Sequence, residues 1–330
     1  MMTPSESSLQ LSVVVPVYNG IKFMAGCLAS IAQAVQALPV QERRAVEVIV
    51  CDNHSTDGTQ EIALQTPLEC AYRVVSPPEH YSNRTLNWHY GLSQAQGTWM
   101  MMLHADDLMA SGGLCAILDA CRQQADSKTV MITGRHRTFT EENPPSRLKP
   151  AWPLAAMLNG EAMRQRVLPF HCPLVPFTVM RRATYLEVGG LDARYELVQD
   201  WDLWIRLLGL GNLYYMPQEF GRWRLHGFST HYATIFAQNH LELTSTLPRL
   251  VPNLPTQVVD AAIDAQLAKV VAWLPEVSLS TLLSGIKGAE RVLSRPYPST
   301  EQAEQARRHY NRYVSKELYK LRFAGSFRRK

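Results

Sequence analysis

Leu11-Ser12-Val13-Val14-Val15-Pro16-Val17 is an almost unbroken apolar run rather than an alternating one, and such a strand needs a sheet covered on both faces. A helical pattern follows from about Lys22 to Leu38, and then a second run, Val46 to Cys51, so the opening of the chain reads as a βαβ unit. Asp57 is expected to cap a helix through Leu64. Tyr72–Val75 is expected as a third strand, Thr85–Gln94 as a helix stopped by Gly97, and Thr98–Leu103 as a fourth strand. The alternation predicts a parallel, doubly wound α/β sheet, which binds ligands at the carboxyl ends of its strands. Those ends are Tyr18-Asn19-Gly20, Asp52-Asn53-His54-Ser55 and His104-Ala105-Asp106-Asp107. One such cluster is an ordinary polar turn; three on one rim point to a site.

The rest of the chain is expected to hold a helix at Gly113–Gln124, strands at Thr129–Thr133 and Phe177–Met180, and a helix at Asp200–Leu208. The Pro-rich stretch from Asn143 to Pro153 reads as a loop. Helical spacing dominates from about Ala233, including Val258–Leu274 and Thr300–Leu321. The 330 residues therefore divide into 1–235, with halves 11–109 and 110–235, and a helical extension, 236–330, with a basic tail. From Arg307 to Lys330 only Glu317 opposes the positive side chains. With Tyr310, Tyr313, Leu318, Leu321 and Phe323, this arm reads either as an anionic-membrane contact or as a solvated capping helix. A net charge of +4 over the whole chain argues against nucleic acid as a partner. The six cysteines have no CxxC or zinc-finger spacing. Neither a secretory leader nor an apolar run of about 18 residues is visible, so a cytoplasmic protein is expected, peripheral to the membrane if the arm binds lipid.

Arg222, Arg224 and His226 alternate on an apparently extended segment, which places them on one face. Basic side chains so arranged suit a diphosphate, although a plain basic surface strand has the same pattern.

Taken in order, Ser12 to Gly20, Val48 to Thr59, Asp106-Asp107, Gly189-Gly190-Leu191-Asp192, Gln199-Asp200-Trp201-Asp202-Leu203-Trp204 and Arg224-Leu225-His226-Gly227 resemble the successive signatures of family 2 inverting glycosyltransferases with the GT-A fold. The likeness covers about Leu11 to Ser229. It implies a doubly wound mixed sheet with a C-terminal helical extension, and transfer of a sugar from a nucleotide-diphosphate sugar, UDP- or dTDP-linked, to a saccharide or lipid-linked acceptor in cell-envelope polysaccharide or glycolipid synthesis. By the same resemblance Pro16, Tyr18 and Asn19 face Asp52 and Asn53 across the base pocket. Asn83, Arg84 and Asn87 then either face the nucleotide or are solvated. Asp106 contacts ribose or metal and Asp107 the metal, Mn²⁺ or Mg²⁺. Arg224 contacts the diphosphate, His226 is a further metal or phosphate ligand, and Asp200 is the general base. The metal suits the chemistry, because a departing nucleoside diphosphate develops charge that a Lewis acid stabilises.

Three positions depart from the commoner acids of the family pattern: His104, Asn53 and Gln199. They motivate a rival reading, a nucleotide-sugar-binding module without turnover. A sugar nucleotidyltransferase fits less well, since Pro16-Val17-Tyr18-Asn19 stands where a Gly-rich phosphate loop would follow the first strand.

Overall fold

In the computed structural model the described residues are 9–141, 148, 155–166, 177–195, 197–226 and positions 255, 257–259, 261, 262 and 265. By internal contacts the chain divides into two compact units. One comprises residues 1–163, 173–193 and 206–226, the other 164–172, 194–205 and 227–330. The expected division at residue 235 and the helices expected beyond Ala233 lie largely outside the described residues, as does the basic arm.

The first unit is built on β1 (Leu11–Val17), α1 (Ile21–Gln36), a 3-10 turn (Val40–Ala45), β2 (Val46–Asp52), α2 (Thr59–Gln65), β3 (Ala71–Val75), α3 (Arg84–Ser93) and β4 (Trp99–Met102). Along the chain there follow β5 (Leu108–Met109), α4 (Gly113–Gln123), β6 (Thr129–Phe139), β7 (Ala156–Leu158), α5 (Gly160–Arg166), β8 (Val179–Arg181), α6 (Arg182–Glu187), α7 (Gln199–Leu208) and β9 (Asn212–Arg224), of which residues 164–166 of α5 and 199–205 of α7 belong to the second unit. The first half follows the pattern read from sequence. β1 and β2 are buried at every position, which is why their apolar runs do not alternate. α1 buries Met24, Cys27, Leu28, Ile31, Ala34 and Val35, the three-and-four spacing of one helix face.

Among the described residues nine strands form one mixed sheet, in the order β3-β2-β1-β4-β8-β6-β9-β5, with β7 also on β9. The four strands read from alternation, β3-β2-β1-β4, pair in parallel, and the sheet as a whole is mixed, as the resemblance implies. β8 runs antiparallel between β4 and β6, while β1 pairs in parallel with both β2 and β4. Three residues of strand carry no direction in their sequence. β6 also runs to Phe139 rather than stopping at Thr133, because it pairs in parallel with β9 through three register shifts. Its second half, Arg135-His136-Arg137, is polar enough to hide the strand.

Two helix ends differ as well. α2 has Gly58 as its N-cap in a left-handed conformation (φ 95°), and Asp57 stands one position earlier. α3 stops at Ser93, short of Gly97, and its N-cap is Asn83, whose side chain accepts from the Thr85 amide at 2.9 Å.

Gly91 lets α3 sit on the sheet: a Cβ there would lie 2.9 Å from Cys51 Cβ and 3.0 Å from Val14 Cγ1. Helix propensity favours Gly91→Ala by about 1 kcal/mol, whereas overpacking against two strands costs about 1–3 kcal/mol. Packing should win, and urea unfolding should show a net loss of stability.

Candidate active site

The rim at the carboxyl ends of β1, β2 and β4 is held by side chains that the sequence offered as ligands. Asn19 adopts φ 49°; its amide donates to Ser55 Oγ at 2.8 Å and its Oδ1 accepts from the Thr56 amide at 2.9 Å. Gly20 and Ile21 donate to Thr59 Oγ1 (2.9 Å) and Asp57 Oδ2 (3.0 Å). The β1–α1 and β2–α2 loops are therefore stitched together. Asn53 is buried, and both ends of its amide bind the Tyr81 backbone, donating to the carbonyl and accepting from the N–H at 2.8 Å each. Its Asn identity thus has a structural reason, since a carboxylate could not donate to that carbonyl. Asn87 is buried between the first two strand ends, its amide 3.3 Å from Cys51 O and 3.5 Å from Val17 O. Asn83 spends its amide on the helix cap and on the Ala193 carbonyl at 2.9 Å.

What remains open is a pocket of about 170 Å³ lined by Pro16, Val17, Tyr18, Asn53, His80, Tyr81, Ser82, Arg84, Asn87 and Trp88. Tyr18 is half exposed and lies against His80, ring centroids 4.7 Å apart. The His80 ring is oriented by a 3.0 Å contact from Nδ1 to the Asn53 carbonyl. Arg84 lies over Trp88 (5.3 Å), and Trp88 lies against His104 (4.9 Å). His80, Tyr81 and Trp88 escaped the sequence reading. Trp88 follows Arg84 by one helical turn, which was a usable signal. Asp52 is fully buried; Oδ2 accepts from the Ser55 amide at 3.1 Å, and Oδ1 has no partner.

Next to this pocket is the acidic pair. Asp107 is 1% exposed, and its Oδ1 accepts from the Arg224 amide at 2.8 Å while Oδ2 is buried without a partner. Burial, and next the charge of Asp106, push its carboxyl well above the usual carboxylate range; the amide and charge of Arg224 oppose them. Arg224 Nε donates to the Asp106 carbonyl at 2.8 Å, and His226 Nε2 lies 2.6 Å from Asp106 Oδ2. Arg222 takes another direction, 3.3 Å from Glu219, so the expected three-residue face keeps only Arg224 and His226 on the acidic pair.

His104 is half-buried. Loss of solvation, with the Arg84 charge in support and Asp106 opposing, lowers its pKa below the ordinary imidazole value. Among the described residues no three His, Cys, Asp or Glu side chains form a ready metal cage. Asp200 is exposed in the first turn of α7, in the second unit, where an Oδ1 accepts from the Trp201 amide at 2.8 Å; Gln199 and Asp202 are buried.

A sequence model described as "Glycosyl transferase family 2" matches residues 12–189, more than half of the chain. The chain belongs to glycosyl transferase family 2. This glycosyltransferase is 22% identical over 234 residues to an uncharacterized glycosyltransferase of Rickettsia typhi, covering 70% of the present chain and 68% of that protein. Matched glycosyltransferases of Rickettsia conorii and Rickettsia bellii are longer, and the chain spans 32% and 28% of them.

In fold it is similar to S. aureus TarS 1–349 in complex with UDP, with a TM-score of 0.66, 16% identity, and 94% and 91% of the two chains covered. It is also similar to the mannosyltransferase PcManGT of Pyrobaculum calidifontis in complex with GDP-Man and Mn²⁺, with a TM-score of 0.54, 17% identity, and 96% and 90% covered. The mixed sheet of the glycosyltransferase is therefore the GT-A fold. Among the described residues no helix is long and apolar enough to cross a membrane.

Because Asn53 clamps the Tyr81 backbone, restoring the commoner acid should harm this protein. Asn53→Asp sets a carboxylate against the Tyr81 carbonyl, and thermal unfolding should show a loss of about 1–3 kcal/mol.

Proposed function

We propose that the chain is a metal-dependent, inverting glycosyltransferase, using a uridine- or thymidine-diphosphate sugar as donor and a saccharide or lipid-linked acceptor. The observation that carries this reading is the buried, unpartnered Oδ2 of Asp107 beside the Asp106–His226 pair. A buried carboxylate oxygen without a donor is costly unless a ligand satisfies it. Asp107, Asp106 and His226 are oxygen and imidazole donors suited to Mn²⁺, and the carboxylates also to Mg²⁺. A cation held there supplies charge neutralisation to the departing diphosphate. Two or three protein ligands leave room for phosphate oxygens in its shell.

The chain's own groups then divide the work. Arg224 lies 4.8 Å from the Phe23 ring and 4.5 Å from the Phe139 ring, which steer its guanidinium, in this reading, to the diphosphate. Asp52 Oδ1, buried and lacking a donor, suits the ring N–H of uracil or thymine, and Tyr18 offers a face for the base. Arg84 joins them from the pocket wall. Pro16 and Asn53 line the pocket, and Asn19, Asn53 and Asn83 also hold the loops. Asp200 takes the proton from the acceptor hydroxyl as it attacks the anomeric carbon, and the nucleoside diphosphate leaves from the opposite face. We assign the setting to envelope polysaccharide or glycolipid assembly at the cytoplasmic side of a membrane, with the basic arm as a lipid contact. The binding-only alternative gains no observation in its favour, since Asn53 has a structural role and the His104 ring packs, tilted, against Trp88.

Two measurements test this reading. With a panel of nucleotide sugars and Mn²⁺, Asp200→Asn should lower turnover by about 10²–10⁴-fold while nucleotide-sugar binding persists; unchanged turnover sinks the assignment.

The second concerns Asp107. A carboxyl whose folded pKa is raised costs stability at every pH above its unfolded pKa, where the unfolded chain ionises first. Asp107→Asn keeps an acceptor for the Arg224 amide and removes that cost. At pH 7 the variant without metal should melt no lower than the parent, and the upward shift in melting temperature with Mn²⁺ and UDP should disappear. A variant that keeps the shift refutes the ligand role.

A further inference from the structure

The ring of Phe23, in the first turn of α1, gathers two cations and an imidazole. The Arg224 guanidinium lies 4.8 Å from its centroid, the His226 ring 5.8 Å, and Lys22 Nζ 5.2 Å. Two permanent cations on one phenyl ring repel one another, so their convergence has to be offset by anions. Arg224 and His226 have Asp106 and Asp107. Lys22 has Glu141, just beyond β6, at 2.7 Å. That carboxylate is held below its ordinary range by the hydrogen bond and charge of Lys22, with Arg224 and His226 adding to the effect. Glu141 therefore lies within the same field as the proposed diphosphate site.

The pair is exposed, with side-chain accessibilities of 64% and 56%, and exposed ion pairs exchange partners at little cost. A phosphate carries more charge and more acceptor oxygens than a carboxylate and is the stronger partner for an ammonium group.

The geometry points to Lys22 as a further diphosphate-binding residue, held by Glu141 in the free protein and handed to a phosphate oxygen when a nucleoside diphosphate binds. The inference rests on the reading of Asp106–Asp107 as the diphosphate and metal site. Cation binding to the acidic pair strengthens it, because the carboxylates then no longer offset Arg224 and an anion is needed on the Phe23 side. The exchange breaks one ion pair and forms another; no covalent step is involved.

The test is calorimetric titration of the full chain with Mn²⁺ and either UDP or uridine, which lacks the phosphates, for the parent, Lys22→Met, Glu141→Gln and the double variant. Met keeps an apolar stem beside Phe23, and both positions are exposed, so folding is preserved. Lys22→Met should weaken UDP by about threefold or more and leave uridine unchanged, and the difference should shrink with added salt. Glu141→Gln should tighten UDP, and the double variant should match Lys22→Met. Lys22→Met binding UDP like the parent overturns the inference while leaving the site reading intact. Weakening of UDP and uridine alike overturns it too, as damage without phosphate recognition. A parent that binds uridine but gains nothing from the phosphates removes both the site reading and the inference.

Discussion

One hydrogen bond joins the two ends of the site: the amide of Arg224 donates to Asp107 Oδ1 across 117 positions of sequence. It ties the last residue of β9 to the turn after β4, and Arg224 Nε adds a second tie to the Asp106 carbonyl. With these in place the acids, Arg224 and His226 share one corner. Without them the acidic pair would be an exposed turn, Asp107 would be hydrated, and no oxygen would be left buried and unsatisfied.

The arrangement is a conflict that the fold tolerates. Burying Asp107 beside Asp106 disfavours its ionisation, and a single amide and one guanidinium offset only part of the cost. Proteins retain such unfavourable groups where a ligand resolves them. Cys27 responds to the same pressure: its thiol, buried beneath the loop and bonded to the His104 carbonyl at 3.8 Å, is pushed far above the ordinary thiol range by burial and then by Asp107 and Asp106. It is a packed, inert group. The opposite end of the sheet is quiet by comparison, because the buried Glu47 accepts from Ser12 Oγ at 2.6 Å and from the Gln96 amide at 2.7 Å.

Much of the frame was legible because its signals are local. The unbroken apolar runs of β1 and β2 and the spacing of α1 depend on burial, and burial leaves a periodicity. Asp106, Asp107, Arg224 and His226 were legible from strand-end position and alternation. The long pairing of β6 with β9 was not, since half-polar strands joined through register shifts are chosen by tertiary contact. The loop carrying His80 and Tyr81 reads only as a proline-containing turn until Asn53 is seen to hold it. Asn19, Asn53 and Asn83 show the limit most plainly: each amide also satisfies backbone groups of neighbouring loops, which residue type does not reveal.

The central claim is that a divalent cation binds to Asp106 and Asp107 together with a nucleoside diphosphate, and the free-ion signal of Mn²⁺ in electron paramagnetic resonance tests it directly. Adding the protein with UDP should deplete the hexaaqua Mn²⁺ signal far more than protein or UDP alone, because each ligand completes the other's coordination. Depletion no greater than the sum of the two separate effects would contradict the account.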